Sequence, residues 1–173
     1  MTSRPDGKVK NISSVCLMWL GLCLPALAAD DAEATRATFA ALYAKMNTAM
    51  NARNTAELGT MLAPGYQGED VGGKARTAQH LMQEVTSLKD DPNRKMETTF
   101  SPVVQEGASA RTVRRLRVAT FRSPEDKTPS MEYVAVSDDT WTKGEQGWKL
   151  AASTVRQADF SLMGRVLVHK THP

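Results

Sequence analysis

Cysteine is nearly absent from this chain of 173 residues: there are two, Cys16 and Cys23, and both fall within the first 23 positions. Aromatic residues are also scarce, at 6%, so there is no run of stacking side chains of the kind that grips single-stranded nucleic acid. No uncharged apolar stretch reaches the roughly 20 residues needed to cross a bilayer. The longest runs from Ile12 to Leu24 and stops at Pro25. Internal repeats and low-complexity tracts are missing as well.

The apolar run is preceded by Arg4, Lys8 and Lys10 and followed by Ala26-Leu27-Ala28. A basic start, a short apolar segment and a small-x-small site are the pattern of a cleaved export signal. A membrane anchor would need a longer run. A lipoprotein acylated at Cys23 would need a small residue in front of it, where Leu22 stands. The expectation is therefore a signal peptide over 1–28, a domain over 29–160 and a C-terminal tail over 161–173, with the mature protein periplasmic or secreted.

Cleavage at Ala28 would change the available chemistry. Both cysteines would leave, excluding disulfides, a thiol nucleophile and thiolate metal ligands. Three basic residues and one acid would leave with them, so the formal charge of +3 becomes about +1, from 19 Lys and Arg against 18 Asp and Glu. A nearly neutral domain has no general attraction for nucleic acid. About 145 residues suffice for one good core.

Phe39, Leu42, Tyr43, Met46 and Met50 recur at the three-and-four spacing of one helical face, predicting a helix over 32–51. Asn54, with Glu57 three positions on, can cap a second, carrying Leu58, Met61 and Leu62 before Pro64-Gly65. Residues 65–76 read as a loop or short strand. Thr77 begins a third helix bearing Leu81, Met82, Val85 and Leu88, which Asp90-Asp91-Pro92-Asn93 ends. The period then changes to that of strands over 95–104, 110–121, 130–143 and 148–157, an antiparallel meander. The third of these is apolar on both parities (Met131, Tyr133 and Ala135; Val134 and Val136) and is expected to be central. Helices followed by strands make an α+β domain.

Three stretches give this order a resemblance to the superfamily named after nuclear transport factor 2 (NTF2-like), particularly its SnoaL-like and DUF4440-like branches. They are Asn51-Ala52-Arg53-Asn54-Thr55-Ala56-Glu57-Leu58 with the stop at Leu62-Ala63-Pro64; Tyr66-Gln67-Gly68-Glu69-Asp70-Val71-Gly72-Gly73 leading into Thr77-Ala78-Gln79; and Asp139-Thr140-Trp141-Thr142-Lys143 with Gly147-Trp148-Lys149-Leu150. The resemblance implies a cone-shaped fold, three N-terminal helices packed on a curved antiparallel sheet of four or more strands. It also implies a pocket, and it spans isomerases, dehydratases, cyclases and members without chemistry, so it leaves the pocket's use open.

Similar steroid isomerases place a general-base aspartate where Asp70 stands, in Glu69-Asp70-Val71-Gly72. Their second aspartate, kept protonated to hold an enolate, lies two residues before an aromatic, as Asp139 does before Trp141. The physical logic is proton abstraction by one carboxylate and oxyanion stabilisation by the other. Their helix-borne tyrosine would fall near Lys45, whereas Tyr43 sits two positions away. His80, four residues from Glu84, is a third catalytic candidate; capping and helix-surface contacts are the ordinary uses of such residues. His169 and His172 lie in the expected tail.

Tyr43, Met46, Tyr66, Met82, Trp141 and Arg156 are candidates to line a ligand pocket, Arg156 by holding a carboxylate. Arg111, Arg115 and Arg117 share one strand face and Arg114 lies on the other; they could bind an anionic ligand or a partner, and a solvated sheet face is the ordinary use of all of them. No metal and no cofactor is implied. The expected function is an exported domain binding a small apolar or amphipathic molecule or a protein partner. The alternative is an isomerase, dehydratase or cyclase using an aspartate base. An apolar outer sheet patch would add a homodimer.

Overall fold

The computed structural model describes residues 24–173. Residues 1–23, most of the expected signal peptide, lie outside the described residues. Helix α1 spans Leu24–Asn51 and α2 spans Thr55–Met61. Between them the chain turns at Arg53, in the left-handed region at φ 56°. Asn54 then caps α2, its Oδ1 accepting from the Glu57 amide at 3.0 Å.

Strand β1 (Leu62–Glu69) follows α2 without a linker, and β2 (Ala75–Thr77) folds back on it. The segment expected as a loop or short strand is thus a hairpin, and Pro64-Gly65 sits inside β1. Proline has no amide to give a ladder, and here the pairing register shifts between Leu62 and Gln67, with Gly65 at φ 76°. Helix α3 covers Ala78–Ser87, with Thr77 and His80 forming a reciprocal capping box.

The remaining strands are β3 (Arg94–Phe100), β4 (Val104–Glu106), β5 (Ser109–Thr120), β6 (Met131–Gly144), β7 (Gly147–Leu162) and β8 (Arg165–Thr171). Strands β7, β6, β5 and β3 form the antiparallel run expected from the spacing, with β6 inside it. The sheet has eight strands and is mixed, because β1 pairs with β7 in parallel.

Its order is β2-β1-β7-β6-β5-β3, with β4 on β5 and β8 on β7. This corrects the cone-shaped, curved sheet that the resemblance implied. The sheet is not closed or strongly curled, since β2 and β3 at its two ends are not paired. Residue periodicity reports which strands form; curl depends on twist and on bulges. The bulges between β6 and β7, at Val136/Ser137 and Thr140/Trp141, bend the ladder locally without bringing the edges together.

The stretch expected as a tail after residue 160 is ordered by pairing. Strand β8 lies along β7, His169 pairs with Asp159, and His172 Nε2 comes within 3.0 Å of Glu69 Oε1. These side-chain contacts and strand pairings tie the C-terminus to the sheet and to the end of β1.

One face of the sheet packs under the helices. Phe39, Tyr43, Met46, Leu58, Trp141 and Leu150 are almost fully buried and form one cluster. Trp141 meets Phe39 and Tyr43 edge to face, with ring centroids 5.5 and 5.3 Å away. The opposite face carries ion pairs: Arg117 with Glu132 and Glu97, and Arg156 with Asp138. Five exposed large apolar residues gather around the β7–β8 hairpin, Leu162, Met163, Val166, Leu167 and Val168, while Val104, Val113, Met131 and Tyr133 are exposed on β4, β5 and β6. Among the described residues no helix is long and apolar enough to cross a membrane.

Candidate functional site

Alternation along β5 turns Thr112, Arg114, Leu116 and Val118 to the helix-covered face, and along β6 it turns Tyr133, Ala135, Ser137, Asp139 and Trp141 the same way. The register sets Asp139 between Thr112 on β5 and Ser153 on β7, and puts Arg114 beside Ser137. Tyr43 descends onto this cluster from α1.

Asp139 has no exposed side-chain surface. Its Oδ1 accepts from Ser137 Oγ at 2.9 Å and Ser153 Oγ at 2.6 Å, and its Oδ2 accepts from Tyr43 OH at 2.9 Å. Arg114 Nε lies 3.1 Å from Oδ2 and completes an ion pair. The inventory of donors fixes the direction of the rest. Tyr43 spends its one proton on Asp139, so Thr112 Oγ1, 2.6 Å away, donates to the Tyr43 oxygen, as does Trp141 Nε1 at 3.3 Å. Burial, aided by the neighbouring Asp139 charge, pushes the Tyr43 phenol well above its ordinary range.

Three hydroxyl donors and the Arg114 guanidinium therefore surround both oxygens of Asp139. A carboxyl group in this setting accepts hydrogen bonds and carries the counter-charge of Arg114. Donating to a ligand enolate would require a protonated, accessible oxygen, and the surrounding donors occupy those positions.

Next to this network lies a cavity of about 630 Å³ between α3, the C-terminal part of α1 and the sheet. Met46, Met50, Leu81, Val85, Leu116, Val118 and Val155 give it apolar walls, and Tyr66, Arg114 and Ser153 give it a polar end. Burial first of all raises the Tyr66 pKa, and the nearby Arg76 and Arg114 guanidinium groups oppose it. Gly68 is needed close by: a Cβ there would meet the Tyr66 hydroxyl and the Arg76 carbonyl oxygen, each at 2.9 Å. This volume and mixture are those of small-molecule sites.

Further cations border the cavity. Arg76 is ion-paired with Glu84. Arg94 is buried and donates to Asn51 Oδ1, the Asn51 carbonyl and the Lys89 carbonyl at 2.7, 2.9 and 2.7 Å. The Asn51 carbonyl is a C-terminal group of α1, where the helix dipole favours positive charge.

The sequence candidates are dispersed. Met46 and Tyr66 line the cavity; Tyr43 and Trp141 lie behind Arg114 in the buried network. Met82 packs beside the core and is not a lining residue. Arg156 is exposed on the opposite face, 2.7 Å from Asp138; it is the extra residue where β7 bulges between Val155 and Gln157.

Asp70 closes the β1–β2 turn, accepting from the Gly72 and Lys74 amides at 2.8 and 3.0 Å. The Lys74 amide above all holds its pKa below the usual carboxylate range, the opposite of what a base working near neutrality requires. His80 is exposed at the start of α3, its Nδ1 accepting from the Thr77 amide at 3.4 Å, while Glu84 turns to Arg76. Among the described residues no three His, Cys, Asp or Glu side chains could hold a metal ion.

Thr112, Ser137 and Ser153 were the residues that sequence reasoning passed over, and Arg114 was noted only as one arginine of a strand whose ordinary use is a solvated face. The signal for Arg114 was its parity: it shares a face with Leu116 and Val118, opposite Arg111, Arg115 and Arg117.

No family model and no curated protein matches this sequence. Solved structures do. The structure of LinA is 14% identical, with a TM-score of 0.59, over 84% of this chain and 99% of that one. A putative scytalone dehydratase from Novosphingobium aromaticivorans is 10% identical, with a TM-score of 0.57, over 86% and 94%. An NTF2-like protein from Cytophaga hutchinsonii is 12% identical, with a TM-score of 0.51, over 69% and 95%. At these identities the likeness establishes an NTF2-like fold, and activity has to be argued from the site.

Proposed function

We propose that this protein binds a small amphipathic molecule in the cavity between α3 and the sheet, without carrying out a reaction on it. The observation that carries this reading is the pairing of an open, apolar-walled space of about 630 Å³ with a polar end held rigid by the Asp139 network. Residues locked by their own hydrogen bonds are suited to fixing a ligand's orientation. Turnover would need a free base or nucleophile facing the cavity. Of the lining carboxylates Glu84 is paired with Arg76 and Asp91 accepts from the Asn93 amide, and Asp70 and His80 are engaged in a turn and a helix cap outside the lining.

The basic start and the Ala26-Leu27-Ala28 site support export to the periplasm or beyond, so the ligand would be met outside the cytoplasm. Within the NTF2-like fold, the local sequences around Asn54, Gly72 and Trp148 support the SnoaL-like or DUF4440-like branch.

Ala135 lies at the cavity wall, 7% exposed, and Ala135→Phe adds a ring where there is space for one. Wild-type protein recovered from the exported compartment is expected to carry a small-molecule adduct in native mass spectrometry. Ala135→Phe is expected to lose it while keeping its circular dichroism spectrum and a cooperative thermal transition. A wild-type protein without adduct, or the same adduct on both, would overturn the reading.

A further inference from the structure

We infer that the cavity selects an amphipathic carboxylic acid, bound as its anion with the carboxylate against Arg114 and the apolar body along Met46, Leu116 and Val118. This deepens the binding reading above and rests on it.

Charge comes first. The lining carries Arg76, Lys89, Arg94 and Arg114 against Glu84 and Asp91. Asp139, the counter-ion of Arg114, is enclosed behind it. Even with Asp139 counted against Arg114, the cations outnumber the carboxylates by one, so a ligand in these apolar surroundings is favoured as an anion and not as a cation.

Which cation takes the ligand follows from their commitments. Lys89 is exposed, and Arg76 spends Nε and Nη2 on Glu84. Arg94 has Nε, Nη1 and Nη2 all donating to protein oxygens. Arg114 uses Nε on Asp139 and Ser137, while Nη2 reaches Ser153 only at 3.5 Å. Among the described residues its Nη1 has no hydrogen-bond partner. The Nη1–Nη2 edge of a guanidinium is the edge that takes a carboxylate through two parallel bonds. Asp139 and Ser137 hold the other edge, which orients the plane before any ligand arrives.

The neighbours argue for a carboxylate rather than a phosphate. Tyr66 and Ser153 line the cavity beside Arg114 as neutral hydroxyls, and Arg76 is turned to Glu84. With Asp139 counted, the four cations Arg76, Lys89, Arg94 and Arg114 face the three carboxylates Glu84, Asp91 and Asp139, so the surplus matches a single negative charge and falls short of a phosphate dianion.

The matched probes are decanoate and decan-1-ol, titrated calorimetrically into the full-length exported protein at pH 7.5. A hydrogen bond to a charged group contributes about 1.5–3 kcal/mol, so wild-type protein is expected to prefer the acid by about tenfold or more. Arg114→Met alone leaves Asp139 buried without its counter-ion and can unfold the protein. The paired variant Arg114→Met, Asp139→Leu removes both charges, and its acid-to-alcohol affinity ratio is expected to fall to about one. Arg114→Lys keeps the charge without the planar fork and is expected to retain part of the preference. Equal wild-type affinity for the two probes overturns the acid assignment and leaves the binding reading standing. An undiminished preference in the paired variant also overturns it. Failure of both probes to bind overturns the binding reading itself.

Discussion

Asp139→Leu is expected to destabilise the protein by about 3–5 kcal/mol, because it strands the Arg114 guanidinium beside the core without its counter-charge. The Arg114 side chain is 12% exposed and the Asp139 side chain not at all, so water cannot take over the lost interaction. The same substitution leaves Ser137, Ser153 and Tyr43 without the acceptor to which each donates. For a domain of this size the Tm is expected to fall by roughly 10 °C. Adding Arg114→Met to Asp139→Leu is expected to restore part of the loss, since removing both members of a buried pair costs less than removing one. Urea denaturation of the two single variants and the double variant would give the coupling directly. A loss below about 1 kcal/mol for Asp139→Leu would show that the pair is solvated.

The second large effect is expected from Trp141→Ala, about 3–5 kcal/mol. Trp141 has no exposed surface and joins Phe39 and Tyr43 in edge-to-face contacts, so truncation opens a cavity in the middle of the core. Its indole N–H also donates to the Tyr43 oxygen. Trp141→Phe keeps most of the aromatic contact and loses that hydrogen bond, and is expected to cost about 1 kcal/mol from the bond, beyond the packing change. If the alanine and phenylalanine variants unfold at the same urea concentration, packing at Trp141 is not what anchors α1 to the sheet.

The three helices and their caps were legible because they rest on local spacing. Phe39, Tyr43, Met46 and Met50 mark one face of α1, and Asn54 and Thr77 begin α2 and α3 as their side chains suggest. In the first case the Glu57 side chain accepts from the Asn54 side-chain amide and not from its backbone N–H, which goes to the Ala49 carbonyl. In the second His80 takes the reciprocal place. The meander was legible from turns and alternation. What could not be read is what the alternation does at a bulge. Leu150, Ser153, Val155 and Ala158 all face the helices, although their numbers change parity twice. The two irregularities in the β6–β7 ladder account for both changes. Arg156, counted as a possible cavity residue, stands at one of them and points to the other side.

The site was legible only in pieces. Tyr43, Asp139 and Trp141 could each be singled out, but their meeting joins positions 96 and 98 residues apart, which no local pattern reports. Asp139 was placed by its relation to Trp141; its role changed once Arg114, Ser137 and Ser153 were found around it. Strand β8 escaped because all of its residues are exposed, so it has no buried face to produce alternation. The overall curl of the sheet escaped for a similar reason, since it is a sum of twists and not a property of any segment.

The central claim is that the space between α3 and the sheet is where a ligand sits, and the methionine methyl groups can report it directly. Met46, Met50, Met96 and Met131 line the cavity, whereas Met61 and Met82 do not. With carbon-13 methyl-labelled methionine, titration with decanoate is expected to move the resonances of the first four and to leave Met61 and Met82 in place. Shifts at Met61 and Met82 with Met46 and Met50 unmoved, or shifts confined to the exposed Met163, would contradict the account.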